Sequence, residues 1–137
     1  MSRFSFLVRP PRGIVAAVLA TSLLGCDDGP SGPDGATRLR VRNASTVELQ
    51  NLLVVLPTEE RIAAVSLAAG GTTGYVAVRT AYRYAYVEAS VAGRHIVLQP
   101  IDYVGEQPLG AGCFTYDLRV DADQRFLSIA ARTETGC

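Results

Sequence analysis

The chain of 137 residues contains no lysine and only one histidine, His95. Without lysine it can form neither a Schiff base nor the lysine–phosphate contact of a P-loop. A single histidine leaves little room for histidine-based acid–base catalysis, and no cluster of cysteine and histidine has the spacing of a zinc site. A GxSxG nucleophile elbow is also missing. These absences predict a protein that is not an enzyme and that uses neither a metal ion nor a cofactor.

The charged residues are unevenly placed along the chain. Residues 26–137 hold all 13 acidic residues but only ten of the 13 arginines, which is a net charge of −3. A mildly acidic chain without a basic stripe lacks the electrostatic attraction that drives nucleic-acid binding. We therefore expect no nucleic acid among its partners.

The N-terminal segment has the organisation of an export signal. Residues 1–13 contain three arginines and no acidic residue, and residues 14–24 read IVAAVLATSLL without a charge. A helix that crosses a bilayer needs about 20 apolar residues, so this run is too short for a membrane span. It favours the apolar core of a signal peptide.

The end of this apolar run resembles the lipobox of bacterial lipoproteins, since Leu23, Leu24 and Gly25 precede Cys26. The resemblance implies that residues 1–25 are a lipoprotein signal peptide and that Cys26 becomes the acylated N-terminus, carrying a diacylglycerol and a fatty acid such as palmitate. Several acyl chains give a stable membrane anchor, whereas one is marginal. The domain would then lie outside the cytoplasm, in the cell envelope. An ordinary cleaved signal peptide is the alternative.

Residues 26–36 read CDDGPSGPDGA and separate the cysteine from the first apolar pattern. Glycine, proline and aspartate cannot bury apolar surface, so the composition predicts a flexible tether with a reach of roughly 17 Å. The three aspartates match no calcium-binding loop. A solvated spacer is therefore the favoured interpretation.

Residues 37–137 predict one small all-β domain, because short alternating segments are separated by turn residues. Thr37–Asn43 places Leu39 and Val41 on one face and three arginines on the other. Residues 47–56 form a second strand, and its apolar phase shifts near Gln50 as it would at a β-bulge. Further strands are expected over residues 61–67 and 72–79.

Two hairpins complete the domain. A two-residue turn at Ala92-Gly93 within residues 82–99 would set Val91 opposite Arg94, and Val87 opposite Leu98. A second hairpin would join residues 114–120 to residues 127–131 through the aspartate-rich turn 121–125. Its two aspartates could contact calcium, but aspartates in hairpin turns more commonly bond their own backbone.

Cys113 and Cys137 are the remaining cysteines. An exported protein meets an oxidising compartment, where an even pair usually forms a disulfide. The second hairpin sets Cys113 opposite Glu134, so the C-terminus must curl back for Cys137 to reach it. Free thiols or an intermolecular bridge are the alternatives.

The candidate site combines a tyrosine-rich strand with the loop that follows the first hairpin. Three tyrosines at alternate positions would share one strand face, where they could stack on a glycan, dock a protein or simply pack within the sheet. Loops often carry function, and this one contains two carboxylates and a further tyrosine. The predicted ligand or partner surface consists of Tyr82, Tyr84, Tyr86, Asp102, Tyr103 and Glu106. A small hydrolase or hydrolase inhibitor that acts through the loop from Asp102 to Glu106 is the alternative.

The same segments carry a resemblance. AYRYAYVE followed by LQPIDYVGE resembles small bacterial envelope lipoproteins of unassigned function. VRNAST, followed by an apolar strand, is similar to immunoglobulin-like adhesion modules. The resemblance implies an immunoglobulin-like antiparallel β-sandwich of about seven to eight strands. Neither resemblance implies an activity. The predicted anchor, the tether and the lack of a catalytic set instead favour a membrane-anchored, non-enzymatic interaction or structural module, for which an envelope protein or glycan would be the partner.

Overall fold

The computed structural model describes residues 35–137. The predicted signal peptide (residues 1–25), the lipidation site Cys26 and most of the predicted tether (residues 26–36) lie outside the described residues. All regular secondary structure in the described part is β-strand, and none of it forms a helix that could cross a membrane.

Eight strands form two four-stranded sheets that pack face to face. One sheet has the order β4-β1-β7-β8 and the other the order β3-β2-β5-β6. The predicted all-β sandwich is therefore confirmed. The strands are β1 (Thr37–Asn43), β2 (Leu49–Val55), β3 (Arg61–Leu67), β4 (Val76–Val78), β5 (Tyr86–Val91), β6 (Arg94–Leu98), β7 (Gly112–Val120) and β8 (Leu127–Glu134).

The strand order departs from the predicted immunoglobulin-like arrangement. In an immunoglobulin constant domain the first two strands share a sheet, whereas β1 and β2 here lie in different sheets. The pairing of β1 with β7 is parallel, while the other strand pairs are antiparallel. The immunoglobulin-like form is thus not confirmed, because alternation shows which face of a strand is buried but not which strand lies beside it.

The core consists of the inward-facing residues of both sheets. Leu39 and Val41 of β1 are fully buried, as are Val54 of β2 and Val87 of β5. Alternate residues of these strands are more exposed, which is the period-two pattern of a strand that is buried on one face. Burying an aliphatic side chain of this size stabilises the fold by about 1.5–3 kcal/mol, before the cost of ordering the chain.

The turn geometry explains why the local registers could be predicted. Val91 pairs with Arg94 and Val87 with Leu98, as expected. The turn residues Ala92 and Gly93 have φ values of 47° and 78°, and two positive φ values are the requirement of a tight type I′ hairpin turn.

The predicted bulge and the predicted strand ends had different outcomes. The β2–β5 register shifts after Gln50, and Asn51 has a φ of 48°, so the bulge is confirmed. The strand predicted over residues 72–79 shortens to Val76–Val78, and β5 begins only at Tyr86. Tyr82 and Tyr84 therefore precede the strand on which they were expected.

A disulfide joins Cys113 to Cys137, with 5.6 Å between the Cα atoms. Cys113 pairs with Glu134 in the β7–β8 ladder, so the last three residues turn back toward β7. The predicted intramolecular bridge is confirmed, and it closes the C-terminal end of an edge strand.

We predict that Cys113→Ala combined with Cys137→Ala lowers the free energy of unfolding by about 3 kcal/mol, because the bridge limits the entropy of the unfolded chain. Urea denaturation of the oxidised protein and of the double variant measures the difference. An oxidised wild-type protein that is no more stable than the double variant would contradict the prediction.

Candidate partner-binding surface

The segment between β4 and β5 carries two of the predicted tyrosines. Ala81 and Ala85 are buried, Tyr82 and Tyr84 are half-buried, and Arg83 between them is exposed. The backbone of the segment is held from elsewhere in the chain. The Tyr116 hydroxyl donates a hydrogen bond of 2.6 Å to the Tyr82 carbonyl, and the backbone N–H of Leu109 donates to the Ala81 carbonyl at 2.8 Å. These bonds explain why the segment is ordered without joining the β5 ladder.

The ring of Tyr103 brings the two tyrosines together. Its centroid lies 5.2 Å from that of Tyr82 and 5.5 Å from that of Tyr84, and the second pair is stacked with 18° between the planes. Such aromatic pairs contribute about 0.5–1.5 kcal/mol each beyond their buried area. We call Tyr82, Tyr84 and Tyr103 the tyrosine cluster.

Tyr86 does not belong to the tyrosine cluster. Its hydroxyl donates a hydrogen bond of 2.9 Å to the Glu88 carboxylate. The same carboxylate oxygen lies 3.5 Å from Nε2 of His95, which pairs with it when the imidazole is protonated. Two of the three predicted tyrosines therefore contact the Tyr103 ring, whereas the side chain of Tyr86 joins a polar group on β5 and β6.

The loop between β6 and β7 is fixed by its own hydrogen bonds. A carboxylate oxygen of Asp102 accepts the backbone N–H of Val104 at 3.1 Å, and the Tyr103 carbonyl accepts the backbone N–H of Glu106 at 3.1 Å. The Tyr84 hydroxyl donates to the Asp102 carbonyl at 3.2 Å, and the Glu106 carboxylate lies near this hydroxyl. The structure thus places all the loop residues of the predicted site around Tyr84.

The phenols of Tyr84, Tyr86 and Tyr103 have raised pKa values and are neutral donors at physiological pH. Partial desolvation, together with the neighbouring Glu106 carboxylate, raises the pKa of Tyr84 above its usual value of 10.0. Burial raises the pKa of Tyr103, and the hydrogen bond to Glu88 raises that of Tyr86. Neutral rings that carry hydroxyl donors can stack on a ligand and hydrogen-bond to it, but a nucleophilic phenolate would need a lowered pKa.

The Asp102 carboxylate accepts a hydrogen bond within its own loop, and the Glu106 carboxylate lies near the Tyr84 hydroxyl. Nothing in their contacts aims them at a shared point in solvent, as a pair of glycosidase carboxylates would be. The hydrolase or inhibitor alternative therefore stays a hypothesis without a geometric argument.

Two apolar grooves adjoin the tyrosine cluster. One of 480 Å³ runs beside the loop, and one of 340 Å³ lies where β6 faces β8. Both contain Tyr84 and Pro100. Ile101 and Val104 project from the loop with 100% and 88% of their surface exposed. The 340 Å³ groove could not be predicted from the loop sequence alone, because two of its lining residues, Leu127 and Ile129, come from β8.

The aspartate-rich turn between β7 and β8 bonds to itself. One oxygen of Asp121 accepts the backbone N–H groups of Arg125 and Phe126, each at 2.7 Å, and these bonds lower the pKa of Asp121. Within residues 35–137, no three side chains of histidine, cysteine or acid lie close enough together to hold a metal ion.

A charged network that sequence reasoning missed covers the outer face of the sheet β4-β1-β7-β8. Arg40 lies over the Tyr75 ring at 4.7 Å, donates to the Thr115 hydroxyl at 2.9 Å and pairs with Glu134 at 3.3 Å. Glu134 also pairs with Arg132 at 3.0 Å. The Thr115 hydrogen bond, with help from both guanidinium groups, lowers the pKa of Glu134. The β7–β8 pairing brings Thr115, Arg132 and Glu134 together, and the parallel β1–β7 pairing adds Arg40.

Comparison with known proteins gives the fold and no function. No family model matches the chain, and no curated protein matches it. The NMR structure of a protein from Eubacterium rectale is similar, with a TM-score of 0.50 and 14% sequence identity over 77% of this chain and 94% of that one. At this identity the likeness shows a shared fold alone.

We predict that stability falls more steeply above pH 10 in the wild-type protein than in Tyr116→Phe. Burial raises the pKa of Tyr116 well above the 10.0 of an unfolded tyrosine. Its contribution is therefore fully present below pH 10 and is lost at higher pH, by about 1 kcal/mol at roughly pH 11. Urea denaturation of both proteins at about pH 8 and pH 11 measures the difference in slope, and parallel losses would contradict the prediction.

Proposed function

We propose that the protein is a membrane-anchored lipoprotein of the bacterial envelope whose sandwich domain binds another protein or a glycan without chemical turnover. In this proposal residues 1–25 are removed, Cys26 carries the acyl chains, residues 26–36 are the tether and residues 37–137 bind the partner. The lipobox resemblance supports the anchor. The disulfide between Cys113 and Cys137 supports an oxidising compartment.

The observation that carries the binding role is the tyrosine cluster next to a rigid loop with exposed apolar side chains. An isolated exposed aliphatic residue is ordinary, but Ile101 and Val104 lie on the same loop as Tyr103. Apolar side chains grouped on a surface mark interaction sites, because their contact with water is unfavourable.

The preorganisation of this surface favours binding further. The Asp102 carboxylate and the Tyr103 carbonyl accept hydrogen bonds that hold the turn, and the Tyr84 hydroxyl bonds the Asp102 carbonyl. A loop that is already ordered loses little conformational entropy when a partner binds. Half-buried rings with hydroxyl donors serve both an apolar and a polar partner, so the geometry fits a glycan as well as a peptide.

The anchor is tested by intact-protein mass spectrometry after expression of the full chain in a bacterium. We expect a mature protein that begins at Cys26 and carries acyl chains. The Cys26→Ser variant should lack them and leave the membrane fraction, because the tether then ends without an apolar group. A mature N-terminus elsewhere, or an unmodified thiol at Cys26, would contradict the proposed anchor.

The binding surface is tested by placing a photo-crosslinking side chain at position 101 in envelope membranes. Val65 is the matched control, because it is a similarly exposed aliphatic residue on β3, which lies far along the sheet order from the loop. We expect a crosslinked protein or glycan from position 101 but not from position 65. Equal yields at the two positions, or none at either, would count against the proposed surface.

A further inference from the structure

Two edge strands meet on one side of the sandwich. Among residues 35–137, β6 pairs only with β5 and β8 pairs only with β7, and β6 and β8 contact each other across the two sheets. An edge strand presents backbone N–H and C=O groups that have no partner in the sheet. This side of the molecule therefore has both an open backbone ladder and a groove beside it.

The hairpin register identifies which backbone groups of β6 face outward. A two-residue turn makes its flanking residues, Val91 and Arg94, a hydrogen-bonded pair, and such pairs alternate along an antiparallel ladder. Ile96 and Leu98 are then bonded to β5. The backbone N–H and C=O groups of His95 and Val97 point away from the sheet, where an added strand would pair with them.

Two separate grooves lie along β6, an apolar one at its end and a cationic one at its start. Beyond Leu98 the apolar groove is lined by Tyr84, Pro100, Leu127 and Ile129 over 340 Å³. At the start of β6 the cationic groove is lined by Arg94, His95, Val97, Asp123 and Arg125. The lining there carries two guanidinium groups and one carboxylate. This excess of positive charge is complementary to a negatively charged partner.

We propose that β6 accepts an extended segment of a partner protein as an added antiparallel strand, with apolar residues first and an acidic end. The inference rests on the proposed binding role and names the chemistry of the partner. Antiparallel pairing sets the start of the segment beside Leu98 and its acidic end beside Arg94 and Arg125. Five strand residues span about 17 Å, which corresponds to a segment of five to seven residues.

A second copy of this chain fits the same edge poorly. Antiparallel pairing of β6 with itself would set Arg94 opposite Leu98, so that each guanidinium group would enter the apolar groove of the other copy. Burying a charge without a partner is costly. The charge pattern of the two grooves therefore favours a different, acidic segment.

The test uses the full chain in mild detergent and a synthetic heptapeptide of alternating valine and threonine that ends in two aspartates. Binding is followed by NMR, with amide hydrogen exchange of His95 and Val97 as the site-specific signal. The control peptide has the same composition but begins with the aspartates. We expect saturable binding, protection of both amides, and an affinity about tenfold weaker for the control peptide.

Two variants separate backbone pairing from charge. Val97→Pro removes an outward N–H without removing a bond to β5, so the affinity for the aspartate peptide should fall about tenfold. Val97→Thr keeps this N–H and should bind the peptide as tightly as the wild-type protein does. Arg125→Glu should lower the affinity for the peptide that ends in two aspartates and raise the affinity for a peptide that ends in two arginines. This raised affinity cannot arise from loss of folding.

Several results would overturn the proposal: no binding at millimolar peptide, equal affinities for Val97→Pro and Val97→Thr, or a dimer of the free chain that Val97→Pro dissociates. The last result would assign the edge to a second copy. Failure here together with a specific crosslink from position 101 would leave the proposed binding role intact and remove only the added-strand mode. Peptide binding as expected without a crosslink would instead support this inference and count against the loop surface.

Discussion

The hydrogen bond from the Tyr116 hydroxyl to the Tyr82 carbonyl joins the core to the tyrosine cluster, the proposed partner-binding surface. Tyr116 belongs to β7, points inward and has no exposed surface. Its acceptor lies in the segment that leads into β5 of the opposite sheet. Because a buried hydroxyl must find a partner, this bond holds the segment in place and so positions Tyr82 and Tyr84 against Tyr103.

The two sides of the molecule differ in the polarity of the surface that they expose to water. Arginine, threonine and glutamate side chains in a continuous network cover the outer face of β1, β7 and β8. The side where β6 meets β8 has apolar grooves and an exposed Ile101 instead. Charged side chains in such a network are well solvated by water. Covering exposed apolar surface with a partner, by contrast, lowers the free energy. This difference between the two sides favours the second side for the proposed binding.

The fold by itself does not assign a role to this protein. The similar protein from Eubacterium rectale shares an architecture at 14% identity, and architectures of this kind carry unrelated functions. The argument for binding comes instead from particular side chains, namely the tyrosine cluster and the exposed residues of the adjoining loop. Their hydrogen bonds make the surface ordered before any partner arrives.

Local chemistry determined most of the strands, both hairpin registers and the bulge near Gln50, because turn residues and alternation act over a few positions. It did not determine the short β4 or the late start of β5. The partner of Cys113 followed from the even pair of cysteines. The parallel pairing of β1 with β7 was decided only by the tertiary structure, since it joins residues about 75 positions apart. For the same reason the sequence named Tyr82, Tyr84 and Tyr103 as candidate residues but could not show that their rings contact one another. Alternation reports one buried face per strand, while the neighbour of each strand depends on how all the faces pack together.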